Sequence, residues 1–125
     1  MTEHPEPWDY PHFSPEEMAS PDTGQALMSP LTMRRLEILR TRWGRSLHVT
    51  SGYRTAAHNA KVGGSSRSAH LMGRAVDIAM TPSDMPDFVM FARLMGFTGI
   101  GVGKSFIHLD DLDGSDRARP GMWTY

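Results

Sequence analysis

The sequence predicts a single small domain that mixes helices with short strands, and three observations carry that expectation. The chain has 125 residues, which suits one domain able to bury a moderate core. Hydrophobic residues make up 39% of it and charged residues 22%, the balance of a soluble globular fold and not of a disordered chain. Segments with helical spacing and capping signals are interspersed with short alternating apolar runs, and no internal repeat interrupts them.

Residues 1–12 are polar and proline-rich and read as an irregular arm, with one domain over residues 13–125. Ser14-Pro15-Glu16-Glu17 is a helix start, with Ser14 as N-cap, Pro15 in the first position and Glu17 in the third. Ser20-Pro21-Asp22 ends that helix early. Ser29-Pro30 opens a longer one, in which Leu31, Leu36, Ile38, Leu39 and Trp43 form the apolar stripe and Gly44 the stop. Arg34, Arg35, Arg40 and Arg42 give it a solvated face. Residues 47–51 alternate and are partly β-branched, hence a strand that runs into Gly52-Tyr53-Arg54. Residues 55–61 make one or two helical turns, and residues 62–68 are a loop by their glycine and serine content. Ala75–Ala79 is a second strand, with Val76 and Ile78 facing one way and Ala75, Asp77 and Ala79 the other. Ser83 caps a helix with a stripe of Phe88, Phe91, Leu94 and Met95, stopped by Gly96. Residues 99–103 and 105–109 read as two strands around a turn at Gly103-Lys104. The tail is expected to be polar and flexible until Met122-Trp123, whose ring packs back on the body.

The totals exclude several classes of function. There is no cysteine, so neither a disulfide framework nor a thiolate metal site nor a cysteine nucleophile is possible. The formal net charge of −1 gives no reason to expect nucleic acid as a partner. No apolar run approaches the ~20 residues that span a membrane. The start, residues 1–7, has no basic region followed by an apolar run, so synthesis in the cytoplasm without a signal peptide is expected.

What remains is a set of side chains suited to a metal. His70 follows the glycine-serine loop. Asp77 lies in an apolar strand, where an isolated carboxylate would cost several kcal/mol to desolvate. Its partner is either a metal ion or the guanidinium of Arg54 or Arg74. The small neighbours Gly73 and Ala75, which let backbone and ligand approach, weigh toward the metal. His108 is flanked by Phe106, Ile107 and Leu109, and is either a ligand or a core histidine bonded to a carbonyl. Imidazole and carboxylate are ligand types that zinc accepts, and three protein ligands leave a position open for catalysis. Arg54, at the end of a strand, is placed to bind a substrate carboxylate or to make an ion pair. His4, His12 and His48 read as solvated.

The run Ser51-Gly52-Tyr53-Arg54, then Asn59 with Gly63-Gly64, then Ser68-x-His70-x-x-Gly73-x-Ala75-x-Asp77, then Gly99-Ile100-Gly101-Val102 and Phe106-Ile107-His108-Leu109-Asp110, resembles the M15 zinc peptidases. These are D-alanyl-D-alanine carboxypeptidases and murein endopeptidases, phage endolysins among them. The resemblance covers residues 13–123. It implies an α+β fold with a small central antiparallel sheet and flanking helices, like the domain shared with Hedgehog proteins. It implies one zinc ion held by His70, Asp77 and His108, a peptidoglycan peptide as substrate, a carboxylate or carbonyl of that peptide held by Arg54, and a supporting role for Ser68. Arg54 is counted with Asp110 as catalytic, and Tyr53 and Ser68 join it as candidate substrate-binding residues. A monomer acting on the cell wall, after holin-type release or within a phage particle, is the matching expectation. Many members carry an acidic general base three residues before the last histidine, where this chain has Ser105. Asp110, on the same side of the strand as His108, replaces it either as the base or as the acceptor of an imidazole proton.

Overall fold

The computed structural model describes residues 2–115 and 117–125. In chain order the elements are α1 (Pro15–Met18), α2 (Pro30–Trp43), β1 (His48–Ser51), α3 (Ala56–Lys61), β2 (Ala75–Ala79), α4 (Met85–Leu94), β3 (Gly99–Val102), β4 (Phe106–Asp110) and β5 (Gly121–Thr124). Two 3-10 turns, Ala69–Met72 and Pro82–Asp84, precede β2 and α4. The domain is α+β, with a five-stranded sheet in the order β1-β2-β4-β3-β5. The first four strands pair antiparallel as expected. β5 joins the edge parallel to β3, so the sheet is mixed.

Local signals place most elements where the sequence puts them. Ser14 and Glu17 form the reciprocal capping box of α1. Ser29 caps α2 by accepting from the Thr32 amide, and Gly44 closes it in the left-handed conformation at φ 75°. The buried stripe of α2 is Thr32, Met33, Leu36, Glu37 and Leu39, while Leu31 and Ile38 lie a turn away from it and are exposed. Trp43 ends the helix edge-on to Phe88 and Phe91 of α4. Ser83 does not cap α4: Pro82 already starts a 3-10 turn, the helix enters through it, and Asp84 stands at the N-cap without a side-chain cap bond.

The sheet is two-faced. Val76, Ile78, Ile107, Leu109 and Ile100 form one buried cluster with Met33, Leu36 and Leu39 of α2, Phe88 and Ala92 of α4, and Phe97. Tyr10 belongs to the same cluster, and an isolated bridge pairs Glu3 with Gln25. Because side chains alternate along a strand, the residues between those apolar positions face the other way. The register aligns them in one row across the sheet: Ser51 opposite Asp77, Asp77 opposite His108, His108 opposite Gly101, and Gly101 opposite Trp123. This row is the floor of the site. A bulge between Val49 and Ser51 brings Ser51 into it.

Buried ion pairs tie the layers together at one end. Asp111, 4% exposed, accepts from Thr32 Oγ1 (2.8 Å), Arg35 Nη1 (2.8 Å) and Arg74 Nε (3.1 Å). Next to Arg74, Gly73 closes the 69–72 turn with φ 65°. A Cβ there would fall 2.0 Å from the Leu27 carbonyl oxygen, because residues 27–29 cross at that point and the Ser29 amide bonds to the Gly73 carbonyl. Gly73→Ala combines a strained φ with a backbone clash and should lower unfolding free energy by about 2 kcal/mol or more, read from urea denaturation.

Candidate metal centre

His70, Asp77 and His108 come from three different segments. His70 sits on the 3-10 turn, whose start is fixed by Ser68 Oγ accepting the His70 amide (3.2 Å). Asp77 lies mid-β2 and His108 mid-β4, directly opposite each other. Asp77 Oδ1 is 3.2 Å from His70 Nε2 and 3.0 Å from His108 Nδ1. One ligand atom from each residue lies within 4.8 Å of the other two, and this is the one such group of three found among the described residues.

The donor set fits a metal, and so does its surrounding shell. Each imidazole has its outer nitrogen engaged: His70 Nδ1 is 2.7 Å from the Gly52 carbonyl oxygen, and His108 Nε2 is 2.8 Å from Asp110 Oδ2. A ring nitrogen that donates its proton outward leaves the other nitrogen's lone pair facing inward. Both inward nitrogens here face the same carboxylate oxygen. Asp77 Oδ2 is held at 3.3 Å by Arg54 Nη2, so the remaining oxygen, Oδ1, is the one presented to the histidines.

The charges are mutually supporting. Burial opposes ionisation of Asp77, but hydrogen bonds from His108 and His70 outweigh it and hold the carboxyl well below the usual carboxylate range. Burial likewise opposes ionisation of Asp110, and His108 and Arg119 outweigh it. Burial disfavours the charged form of His108, yet Asp110 and Asp77 together raise its pKa.

Around this row lies a cleft of about 410 Å³. Arg54 and Ser68 line it, with Gly63, Gly64 and Ser65 of the loop on one side and Arg117, Arg119, Trp123 and Tyr125 of the tail on the other. Arg54 is braced at all three nitrogens, by Ser51 Oγ, Asn59 Oδ1 and Asp77 Oδ2, so its guanidinium serves the Asp77 carboxylate. Tyr53 is not among the residues that line the cleft, and its ring packs against the core. Asp110 has no accessible surface. Its Oδ1 accepts from Arg119 Nε and the Leu112 amide, and its Oδ2 from Arg119 Nη2 and His108 Nε2. Those bonds place it behind the imidazole, at the ring nitrogen that faces away from Asp77.

The residues that sequence reasoning missed are all in the tail. Arg119 clamps Asp110 with two 2.8 Å bonds, and its guanidinium lies 4.9 Å from the Trp123 ring centre. Trp123 in turn tilts against His108, with ring centres 5.4 Å apart. Gly101 makes room for this wall, since a Cβ there would meet Trp123 Nε1 at 2.6 Å and the Tyr125 hydroxyl at 2.7 Å. The available signal was the Trp/Tyr pair at 123 and 125, spaced as strand residues that share a face.

Two imidazoles and a carboxylate gathered in a cleft on an α+β sheet form a donor set of the kind that can hold a divalent metal ion. The chain belongs to the peptidase M15 family, whose model matches residues 11–110. That stretch contains His70, Asp77 and His108, and membership makes the chain a peptidase. Comparison with curated proteins finds no match.

The raised pKa of His108 sets a pH dependence. In the metal-free protein its stabilising contribution is fully present below the unfolded histidine value near 6.5 and is lost as pH rises through the higher folded value. The thermal midpoint of metal-free protein should therefore fall across that window, and His108→Gln should remove that part of the fall. A wild-type midpoint indifferent to pH there would contradict the assignment.

Proposed function

We propose that this peptidase is zinc-dependent and hydrolyses amide bonds in the peptide stems or crossbridges of bacterial peptidoglycan, by D,D- or L,D-cleavage. The observation that carries the reading is the convergence of His70 Nε2, His108 Nδ1 and Asp77 Oδ1 on the cleft floor. Two imidazole nitrogens and one carboxylate oxygen are a catalytic zinc set with room for a further ligand. Zinc held there supplies Lewis acidity toward a scissile carbonyl and toward water.

The chain's own residues do the rest. Asp110, fixed by Arg119, holds the outer proton of His108 and keeps Nδ1 available. Arg54 holds Asp77 in register. Trp123 and Arg119 shield the outer side of His108 from solvent. Tyr125 lines the cleft beside Trp123, where its hydroxyl can donate a hydrogen bond to a substrate oxygen. A cleft walled by Arg54, Arg117 and Arg119 suits murein peptides, which carry free carboxylates. The chain is proposed to act as a monomer, delivered as a phage lysin or within a phage particle. No helix among the described residues is long and apolar enough to cross a membrane.

A second reading, a zinc-binding murein-binding or phage structural module with little catalysis, is favoured by one observation. Ser105 stands where an acidic base is common, and Asp110 is fully engaged. Zymography on purified murein separates the two. Zinc-loaded protein should clear the substrate, and a chelator or His70→Ala should abolish clearing. Wild type that holds one zinc per chain yet clears no murein would establish the module.

Asp110→Asn reports on the acid itself. As a positioning residue it should weaken zinc affinity by about 10–100-fold, measured by competition with a chromogenic chelator. Lost turnover at unchanged zinc affinity would instead make Asp110 the proton acceptor.

A further inference from the structure

Three guanidiniums wall the cleft, and their bonding differs. Arg54 pairs with Asp77 and is braced by Ser51 and Asn59. Arg119 forms a two-bond clamp on Asp110, with its third nitrogen on the Ala118 carbonyl (2.9 Å). Each of these cations is paired with a carboxylate. Arg117 has no such partner among the described residues. Its Nη2 donates to the Arg67 carbonyl, which anchors the tail to the 62–68 loop. Its Nε–H is shielded and finds no acceptor.

We infer that Arg117 is the specificity-determining residue of the cleft, binding a free carboxylate of the substrate peptide. The inference rests on the peptidase reading above and goes beyond it by assigning anion recognition to Arg117 and not to Arg54. The physics favours the assignment. Arg54 and Arg119 are each paired with a carboxylate, whereas Arg117 carries its positive charge without a carboxylate partner among the described residues. The Arg117 Nη1 group makes no hydrogen bond among the described residues, and it offers an incoming carboxylate N–H donors together with the opposite charge. The anchor on Arg67 already restricts the side chain, so less freedom is lost when the anion arrives. The metal cluster and the Arg117 side chain then hold two parts of one substrate, a scissile amide and a neighbouring carboxylate.

The test uses zinc-loaded full-length chain and reduced muropeptides, untreated or with their carboxylates amidated. Wild type should prefer the untreated peptides by about 10-fold or more in kcat/KM, the scale of one charge-assisted hydrogen bond. Arg117→Ala should bring the ratio of the two substrates toward one, through a higher KM for the untreated peptides with kcat changed by less than about 2-fold. Arg117→Lys should restore part of the preference. Zinc content and circular dichroism equal to wild type establish that the variants are folded. Wild type that cleaves both substrates equally, or an Arg117→Ala variant that keeps the preference, overturns the inference while leaving the peptidase intact. Calorimetric titration of the same peptides covers the reverse case. If nothing is cleaved, yet untreated peptides bind more tightly and Arg117→Ala abolishes the difference, the anion site stands and the peptidase reading falls. Absence of both cleavage and a binding difference overturns the inference as well.

Discussion

Asp77 carries a negative charge in the middle of a strand whose neighbours on either side point into an apolar core. That single carboxylate organises the face it occupies. It takes two imidazoles on one oxygen and a guanidinium on the other, and each of those groups is fixed in turn by its own partner: the Gly52 carbonyl for His70, Asp110 for His108, Asn59 and Ser51 for Arg54. A buried charge is tolerated only when it is compensated and hydrogen-bonded. Here the same compensation gathers a metal-binding donor set. Stabilising the charge and building the centre are one requirement.

The sheet supplies the precision. Strand pairing places Asp77 and His108 opposite each other, so their separation is set by backbone hydrogen bonds and not by flexible loops. A one-residue slip of β4 against β2 would turn His108 into the core and break both faces at once. His70 alone comes from a turn, and that turn is pinned by the Ser68 cap, the Gly73 closure and the Arg54 amide on the His70 carbonyl. The apolar face thus fixes the register, and the register aligns the polar one.

Much of this was legible in the sequence. A polar residue inside an apolar strand is conspicuous, and histidine and aspartate at such positions have few uses. Capping boxes and glycine stops are local chemistry, so α1 and α2 were readable from a few residues each. The misreadings came where long-range packing decides. Leu31 and Ile38 looked like core, but α2 turns a different stripe inward. Tyr53 sat beside Arg54 in the chain, yet its ring packs against the core while Arg54 lines the cleft. The tail was hardest, because a four-residue parallel strand has no local signature: β5 exists through its pairing with β3, and Arg119 acquires meaning only from Asp110.

The parallel attachment of β5 has an evolutionary corollary. His70, Asp77 and His108 lie in antiparallel strands and a pinned turn inside the sheet, whereas the aromatic and cationic wall hangs from its rim, joined by one ladder and the Arg119 clamp. Rim segments tolerate replacement far better than interior strands. Diversification of such a catalyst toward new linkages can therefore proceed by varying this rim, so long as the Arg119 clamp on Asp110 is kept.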